Sequence, residues 1–265
     1  MVQKFSANLS MLFGETVFLK RFERAAAAGF AAVEFMFPYD EGIPEIKSRL
    51  EALNLQLALF NLPPGNLESG EWGTLSNPQR RDFFRHSFES ALEAAIQLDC
   101  SLLNMMYGQR VEGFSPEDQA ECASENLAWA APQAAREGVT LLLEPLNSVD
   151  FPRFALHSTA QALEVIRNVN HPQVGLQYDL YHAQMTEGNL INTIRDNFNH
   201  IRHIQIADVP GRHEPGTGEI NFPVVFTALE NLGYAGYIGL EYRPLAGTEE
   251  GLNWLQRSAR GREEN

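Results

Sequence analysis

The chain alternates short apolar runs with longer amphipathic segments, and the alternation repeats eight times. Several apolar runs are continuous stretches of Val, Ile, Leu and Phe, as is typical of strands that are covered on both faces. Strands that alternate with helices in this way predict a parallel sheet. The eight predicted strands are Phe5–Leu9, Ala32–Phe37, Leu55–Phe60, Leu102–Tyr107, Thr140–Pro145, Val174–Asp179, Ile201–Ala207 and Tyr237–Tyr242.

Helix signals lie between these strands. Ser115 is suited to cap a helix, because Pro116 and the acidic residues that follow it fit a first turn. The predicted helices are Phe18–Ala28, Glu45–Leu53, 115–138, Ser158–Val169, Asn189–Phe198, Phe222–Leu232 and Thr248–Leu255. Eight units in 265 residues favour a closed α/β barrel of the TIM (β/α)8 type over an open doubly wound sheet.

The barrel is predicted as a single domain over residues 1–257, followed by a flexible polar tail over residues 258–265. The longer loop 63–78 is rich in Gly, Pro, Asn and Ser and carries Trp72. We expect this loop to form a lid or a wall of the site, with a plain surface loop as the alternative.

Composition excludes some classes of protein. A formal charge of −14 is unfavourable for binding nucleic acid, which needs clustered Lys and Arg. No apolar run approaches the length that crosses a bilayer, and the first residues lack the pattern of a signal peptide. Cys100 and Cys122 have no metal-ligand spacing, which predicts buried or incidental thiols. We expect a cytoplasmic protein that does not associate with membranes.

A polar side chain ends each of the last four apolar runs. These side chains are Glu144, Asp179, Gln205 and Glu241, and the ends of barrel strands converge on one face. Three carboxylates gathered there would repel one another unless a cation lies between them. An all-oxygen ligand set favours Mg²⁺ or Mn²⁺ over Zn²⁺. The alternative is that each acid pairs with a local arginine or caps a helix.

Glu144 and Glu241 lie on the fifth and eighth strands, so we expect them on opposite sides of the barrel mouth. Two carboxylates beside a metal suit proton abstraction next to a carbonyl. His182 follows the sixth strand and is a candidate to bind a substrate oxygen. Arg212, after the seventh strand, is a candidate clamp for a substrate carboxylate. For His182 the alternative is a loop histidine without a function.

Five weaker candidates accompany these residues. Asn8, Asn61 and Asn104 lie at or near the ends of earlier strands, where they either add hydrogen bonds to the site or cap loops. Asp150 and Asp208 are candidates to support the residues that contact the metal.

The sequence resembles the hydroxypyruvate isomerase family, within the wider group of xylose-isomerase-like isomerases and epimerases. The resemblance covers nearly the whole chain, and its most specific stretch is Arg212–Asn221. Other stretches that carry it are 5–13, 33–39, 144–147, 177–182, 203–208 and 241–244.

This resemblance implies a metal held at Glu144, Asp179, Gln205 and Glu241, with Glu144 and Glu241 as the acid/base pair. Related epimerases usually have histidine where this chain has Gln205. The resemblance also implies that His182 and Arg212 bind substrate oxygens.

The expected activity is the metal-dependent isomerisation of a small hydroxy-keto acid, with hydroxypyruvate converted to tartronate semialdehyde. The alternatives are a 2-oxo-tetronate isomerase, a related sugar epimerase, a metal-dependent endonuclease and a binding barrel without catalysis. The expected partner is a small molecule, and both a monomer and a homo-oligomer stay open.

Overall fold

The computed structural model describes residues 3–261, apart from the side chain of Ser258. Its eight parallel strands close into a barrel in chain order. This confirms the predicted TIM barrel and the existence of every predicted strand. The strands are β1 (Lys4–Asn8), β2 (Ala32–Glu34), β3 (Gln56–Asn61), β4 (Leu102–Asn104), β5 (Thr140–Leu143), β6 (Val174–Asp179), β7 (Ile201–Ile206) and β8 (Tyr237–Leu240).

Nine α-helices surround the barrel within residues 3–261. Seven overlap the predicted helices, and α3 and α6 are additional. Ser115 begins α4 with a capping box, in which its hydroxyl accepts from the Asp118 amide and the Asp118 carboxylate accepts from the Ser115 amide. The helices are α1 (Phe18–Ala27), α2 (Ile43–Ala52), α3 (Arg81–Gln97), α4 (Pro116–Arg136), α5 (Thr159–Val169), α6 (Leu180–Thr186), α7 (Leu190–Asn197), α8 (Phe222–Asn231) and α9 (Thr248–Gly251).

The C-terminal end of the described chain packs beside α1. Arg257–Arg260 forms a short 3-10 helix, and Arg260 donates to the backbone oxygen of Ala28. Gly261 forms an isolated bridge with Phe30. Residues 262–265 of the predicted tail lie outside the described residues, so the division at residue 257 stays a prediction.

Two predictions from composition concern membranes and thiols. In the part of the chain from residue 3 to residue 261, no helix is both long and apolar enough to cross a bilayer. Cys100 and Cys122 are free and buried, which confirms the predicted buried thiols. Burial raises the pKa of both thiols, that of Cys100 to about 12. At neutral pH both are therefore protonated and poorly nucleophilic.

The interior of the barrel carries polar side chains near the carboxyl ends of its strands. Side chains two residues apart on a strand face the same side. This spacing brings three buried pairs together, which are Ser6 with Asn8, Gln177 with Asp179, and His203 with Gln205. The register confirms the alignment, because Asn8 is level with Glu34 and Asp179 is level with Gln205.

Gly239 has no side chain, and the carboxylate of Glu34 occupies the space beside it. A Cβ at this position of β8 would lie 2.3 Å from Oε1 and 2.4 Å from Oε2 of Glu34. We expect Gly239→Ala to destabilise the barrel by about 1–3 kcal/mol, because the buried carboxylate would have to move away from the groups that hydrogen-bond to it. Thermal unfolding measures the change. Gly14→Ala is the control, since its Cβ would approach only Met11 O, at 4.0 Å; equal melting temperatures for the two variants would contradict the prediction.

Candidate active site

A cavity of about 570 Å³ opens at the carboxyl ends of the strands. Four of the six predicted site residues line it, namely Glu144, His182, Arg212 and Glu241. The other two, Asp179 and Gln205, are buried on β6 and β7. The structure therefore places the predicted residues at one end of the barrel.

Glu144 directly follows β5 and faces the cavity. Its Oε2 accepts a hydrogen bond of 2.7 Å from Nδ2 of Asn104, the last residue of β4. Burial, and then the negative charge of Asp179, raise the pKa of Glu144 to about 8. A carboxyl group with a pKa in this range can both accept and return a proton near neutral pH.

Arg212 supplies positive charge beside two other predicted carboxylates. Its Nη2 donates to Glu241 Oε2 at 2.9 Å and lies 3.3 Å from Asp179 Oδ2. Burial raises the pKa of both carboxyl groups, although the charge of Arg212 opposes the increase. Three buried carboxylates, including Glu144, thus share one guanidinium, which leaves the cluster short of positive charge.

Asp208 organises the loop that carries Arg212. The Asp208 carboxylate is fully buried and accepts from four backbone amides, those of residues 209, 216, 218 and 220, at 2.8 to 3.0 Å. Arg212 itself adopts a left-handed backbone conformation, with φ of 58°. Asp208 therefore holds the backbone of the loop that carries Arg212, and its role in supporting a metal site stays a prediction.

The hydrogen bonds of His182 define its tautomer. The Asn147 backbone amide donates to Nδ1 at 3.1 Å, and the Asn147 side-chain amide lies 2.7 Å from the same nitrogen. Because both partners are donors, Nδ1 is the acceptor and Nε2 carries the proton. Burial, assisted by Arg212, lowers the pKa of His182 well below its ordinary range. His182 is therefore a neutral hydrogen-bond donor.

Asp150 supports His182 indirectly. Its Oδ2 accepts from Asn147 Nδ2 at 3.0 Å and from the Tyr181 hydroxyl at 2.8 Å. The Tyr181 backbone amide in turn donates to Asp179 Oδ1 at 2.8 Å. Asp150 thus connects His182 to Asp179 through Asn147 and Tyr181, and its role in supporting a metal site stays a prediction.

Glu144, Asp179 and His182 form a cluster that could hold a metal ion. One potential ligand atom from each lies within 4.8 Å of the other two, and all three side chains are buried. His182 Nε2 is 3.6 Å from Asp179 Oδ2. Since the protonated Nε2 is a donor, His182 is better suited to a substrate oxygen than to the metal. Within this cluster, the two carboxylates are better ligands for a cation than His182.

Gln205, the predicted amide ligand, is held from both sides. Its Oε1 accepts from Gln177 Nε2, and its Nε2 donates to Glu34 Oε1 at 2.9 Å. A carbonyl oxygen has two lone pairs, so Oε1 can still bind a cation. Gln177 Oε1 is buried without a hydrogen-bond partner among the described residues.

Glu34 and His203 were not among the candidates from the sequence. Their side chains meet deep in the barrel, with His203 Nε2 3.0 Å from Glu34 Oε2. Glu34 also accepts from Ser6 Oγ at 2.7 Å and Asn8 Nδ2 at 3.2 Å. Asn8 lies 3.3 Å from Glu241 as well, which connects this group to the cavity. Polar residues two apart on β1 and β7 are the sequence signal that would have indicated it.

An aromatic wall covers one side of the cavity. The rings of Trp72 and Phe151 meet edge to face at 5.5 Å, and the ring of Phe151 lies 5.8 Å from that of His182. Trp72 comes from the loop 63–78 and lines the cavity. The loop therefore forms part of the wall, which is one of its predicted roles.

Comparisons with known proteins agree with this architecture. The family model described as "Xylose isomerase-like TIM barrel" matches residues 22–258. The chain is 46% identical to hydroxypyruvate isomerase of Escherichia coli (strain K12), over 95% of this chain and 98% of that protein. It is 43% identical to 2-oxo-tetronate isomerase of Cupriavidus necator, over 96% and 97% of the two chains.

A solved structure named "AP endonuclease, family 2 from Brucella melitensis" is also similar. It has a TM-score of 0.94 and 42% identity, and the alignment covers 98% of this chain and 100% of that chain. The predicted resemblance is thus confirmed: the chain belongs to the xylose isomerase-like TIM barrel family.

Proposed function

We propose that this protein is a metal-dependent isomerase that converts hydroxypyruvate to tartronate semialdehyde. The observation that carries the proposal is the presence of two buried glutamates, Glu144 and Glu241, in one cavity, each with a raised pKa. The similarity to the Escherichia coli hydroxypyruvate isomerase supports the choice of substrate.

The donor set fits a divalent cation. Glu144, Asp179 and Glu241 carry three carboxylates against the single guanidinium of Arg212, so the cluster needs further positive charge. We propose that these carboxylates and the Gln205 carbonyl would hold the ion. An all-oxygen set favours Mg²⁺ or Mn²⁺. A bound ion would supply Lewis-acid polarisation of the substrate carbonyl.

The two glutamates are proposed to move the protons. One of them removes a proton from the hydroxymethyl carbon of hydroxypyruvate, and the electron pair forms the double bond of an enediolate. A proton is then delivered to the neighbouring carbon, which was the ketone, while the hydroxyl proton of the first carbon passes to the former ketone oxygen and the first carbon becomes the aldehyde. No atom is gained or lost, since the step only relocates hydrogen. The raised pKa of Glu144, about 8, suits this exchange.

His182 and Arg212 are proposed to bind substrate oxygens. Both line the cavity, and His182 presents Nε2–H as a donor because Nδ1 is occupied by Asn147. Trp72 and Phe151 keep water from that side of the cavity. Exclusion of water strengthens hydrogen bonds to a developing negative charge.

A turnover panel tests the proposal. The substrates are hydroxypyruvate and both enantiomers of 2-oxo-tetronate, each with Mg²⁺ and with Mn²⁺. The 2-oxo-tetronates form the second candidate, supported by the similarity to the Cupriavidus necator enzyme. We expect the highest kcat/KM for hydroxypyruvate, and no turnover of any of these acids would contradict the proposal. Cleavage of a duplex containing an abasic site would instead favour the endonuclease alternative.

The raised pKa of Glu144 predicts how stability depends on pH. A carboxyl group whose pKa is higher in the folded chain contributes less stability as pH rises from its ordinary value, 4.5, to about 8. We therefore expect the metal-free protein to melt at progressively lower temperature above pH 6.5, the ordinary pKa of histidine, where His182 no longer opposes the trend. Differential scanning calorimetry measures this.

The cation should reverse the trend, because it binds the deprotonated carboxylates. With Mg²⁺ or Mn²⁺ present, the melting temperature is expected to rise over the same pH interval, and a chelator should abolish both this gain and turnover. Glu144→Gln is the control, since it removes one of the carboxyl groups with a raised pKa and should make the metal-free curve less steep, while Asp179 and Glu241 still titrate. A metal-free melting temperature that increases with pH would contradict the prediction.

The cytoplasmic location and the oligomeric state stay predictions. Size-exclusion chromatography with light scattering measures the second directly.

A further inference from the structure

An anionic substrate must enter a protein with a formal charge of −14. Among the described residues that line the cavity, the cationic side chains are Arg212 and Arg243. The same cavity contains Glu144 and Glu241, with Asp179 buried directly behind Arg212. The position of each arginine therefore decides which of them is available to the acid end of a substrate.

Arg212 can contact a substrate oxygen from the cavity wall, but its charge is already shared with protein carboxylates. Its Nη2 serves both Glu241 Oε2 and Asp179 Oδ2, and its Nε lies 3.4 Å from the backbone oxygen of Glu241. Only 8% of this residue is exposed. A substrate carboxylate placed on Arg212 would compete with two buried carboxylates for a single positive charge.

Arg243 differs from Arg212 both in its side-chain contacts and in its exposure. It lies two residues after Glu241, its side chain is exposed, and within residues 3–261 that side chain has no hydrogen bond or ion pair. Its backbone is nevertheless fixed, because its amide donates to Arg212 O at 2.8 Å and its carbonyl oxygen lies 2.7 Å from His213 Nδ1. A free guanidinium on a fixed backbone at the cavity mouth is a suitable anion receptor.

Asn61 offers a second polar group to a ligand in this cavity. It ends β3, lines the cavity and is only 8% exposed. Its backbone groups are satisfied by Met36 O and the Tyr39 hydroxyl. Its side-chain amide has no partner among the described residues, although buried amides are normally hydrogen-bonded. A substrate oxygen would complete the hydrogen bonding of this amide.

We infer that Arg243 receives the carboxylate of the substrate at the mouth of the cavity, with the Asn61 amide bound to a second substrate oxygen. The inference rests on the proposed function, because it requires an acid as the substrate. Arg243 is exposed whereas Glu144 and Glu241 are buried, so the acid end points outward and the carbons that exchange hydrogen point inward. Arg243 thereby selects hydroxy-keto acids over uncharged sugars of the same size.

Steady-state kinetics of Arg243→Ala test this role. We expect KM for hydroxypyruvate to rise about 10- to 100-fold, as for the loss of a charged hydrogen bond, with kcat within about twofold of wild type. KM for dihydroxyacetone, in which a hydroxymethyl group replaces the carboxylate, should not change. Arg243→Lys should recover part of the loss. Arg167→Ala is the matched control, because Arg167 is an exposed arginine on α5, away from the cavity, and also has no described partner.

Binding of D-glycerate separates this inference from the proposed function. Glycerate carries the carboxylate but no keto group, so it cannot be isomerised, and calorimetry measures its affinity without turnover. We expect the affinity of Arg243→Ala to fall about 10-fold or more relative to wild type. Equal affinities, or no measurable binding to wild type, would overturn the inference. If no hydroxy-keto acid is turned over but glycerate binding depends on Arg243, the proposed function fails and the anion site stands.

Discussion

Replacing Glu241 with glutamine is expected to lower kcat about 1,000-fold while the barrel stays folded. Glutamine keeps the shape of the side chain but cannot accept and return a proton. The carboxyl group of Glu241 already has a raised pKa, so burial favours its uncharged form. The substitution therefore removes chemistry without removing a charge that the folded state depends on.

The structural cost of Glu241→Gln is a single unfavourable contact. Glu241 Oε1 faces Asn8 Nδ2 at 3.3 Å and Oε2 faces Arg212 Nη2 at 2.9 Å, so the new amide nitrogen must point at one donor. We expect this to lower the free energy of unfolding by about 1–3 kcal/mol, which leaves a barrel of this size folded.

Three measurements decide the outcome for Glu241. The first is kcat with hydroxypyruvate, the second is the far-ultraviolet circular dichroism spectrum, and the third is exchange of the substrate C–H proton with deuterated solvent. Exchange is expected to fall together with kcat. Glu250→Gln is the control, because Glu250 is an exposed residue of α9. Near-wild-type turnover by a folded Glu241→Gln protein would refute the two-glutamate mechanism.

The strands and the catalytic end of the barrel could be predicted from the sequence because their signals are local. An apolar run followed by an acid or an amide indicates both a buried strand and the side chain at its end. Glu144 and Asp179 lie where this reasoning placed them, and the register of the closed barrel brings Asp179 level with Gln205.

The two additional helices differ in how visible they are. In α3, buried Phe84, Phe88, Ala91 and Ala95 recur at helical spacing, so the sequence contains a sufficient signal for it. The helix α6 has only seven residues and begins directly after β6, where Asp179 both ends the strand and caps the helix through the Tyr181 amide. A segment this short shows no periodicity that separates it from the strand before it.

Pairings across the barrel could not be predicted, because they depend on distances between residues far apart in the chain. Arg212 was predicted to bind substrate, and the fold in addition places its Nη2 between Asp179 and Glu241, which the sequence did not indicate. The tautomer of His182 follows from Asn147, which lies 35 residues away in the sequence. Such pairings determine which arginine side chain is available to a substrate carboxylate. The sequence alone contains no local signal for them.

Glu34 illustrates the same limit and provides the prediction with the largest effect on stability. This fully buried carboxylate accepts from Ser6, Asn8, His203 and Gln205. Burial alone would raise its pKa. The charge and hydrogen bond of His203, together with the hydrogen bonds from Gln205 and Ser6, lower this pKa below the ordinary value. Glu34 is thus a stable carboxylate, in contrast to Glu241.

We expect Glu34→Ala to lower the free energy of unfolding by about 3–5 kcal/mol, because it leaves His203, Ser6 and Gln205 buried without the acceptor they share. For a chain of this length that corresponds to a fall in melting temperature of about 10 °C. Glu112→Ala, a substitution of an exposed acid, is the control and should melt like wild type.

The pH dependence of this loss separates the charge of Glu34 from its packing. A carboxyl group whose pKa is lowered by folding contributes stability above its ordinary value of 4.5 and loses that contribution as pH falls through its folded value. The difference in melting temperature between wild type and Glu34→Ala should therefore be largest near neutral pH and shrink on acidification. A difference that does not depend on pH would mean that the side chain stabilises the barrel by filling space, and that the charge of its carboxylate contributes nothing.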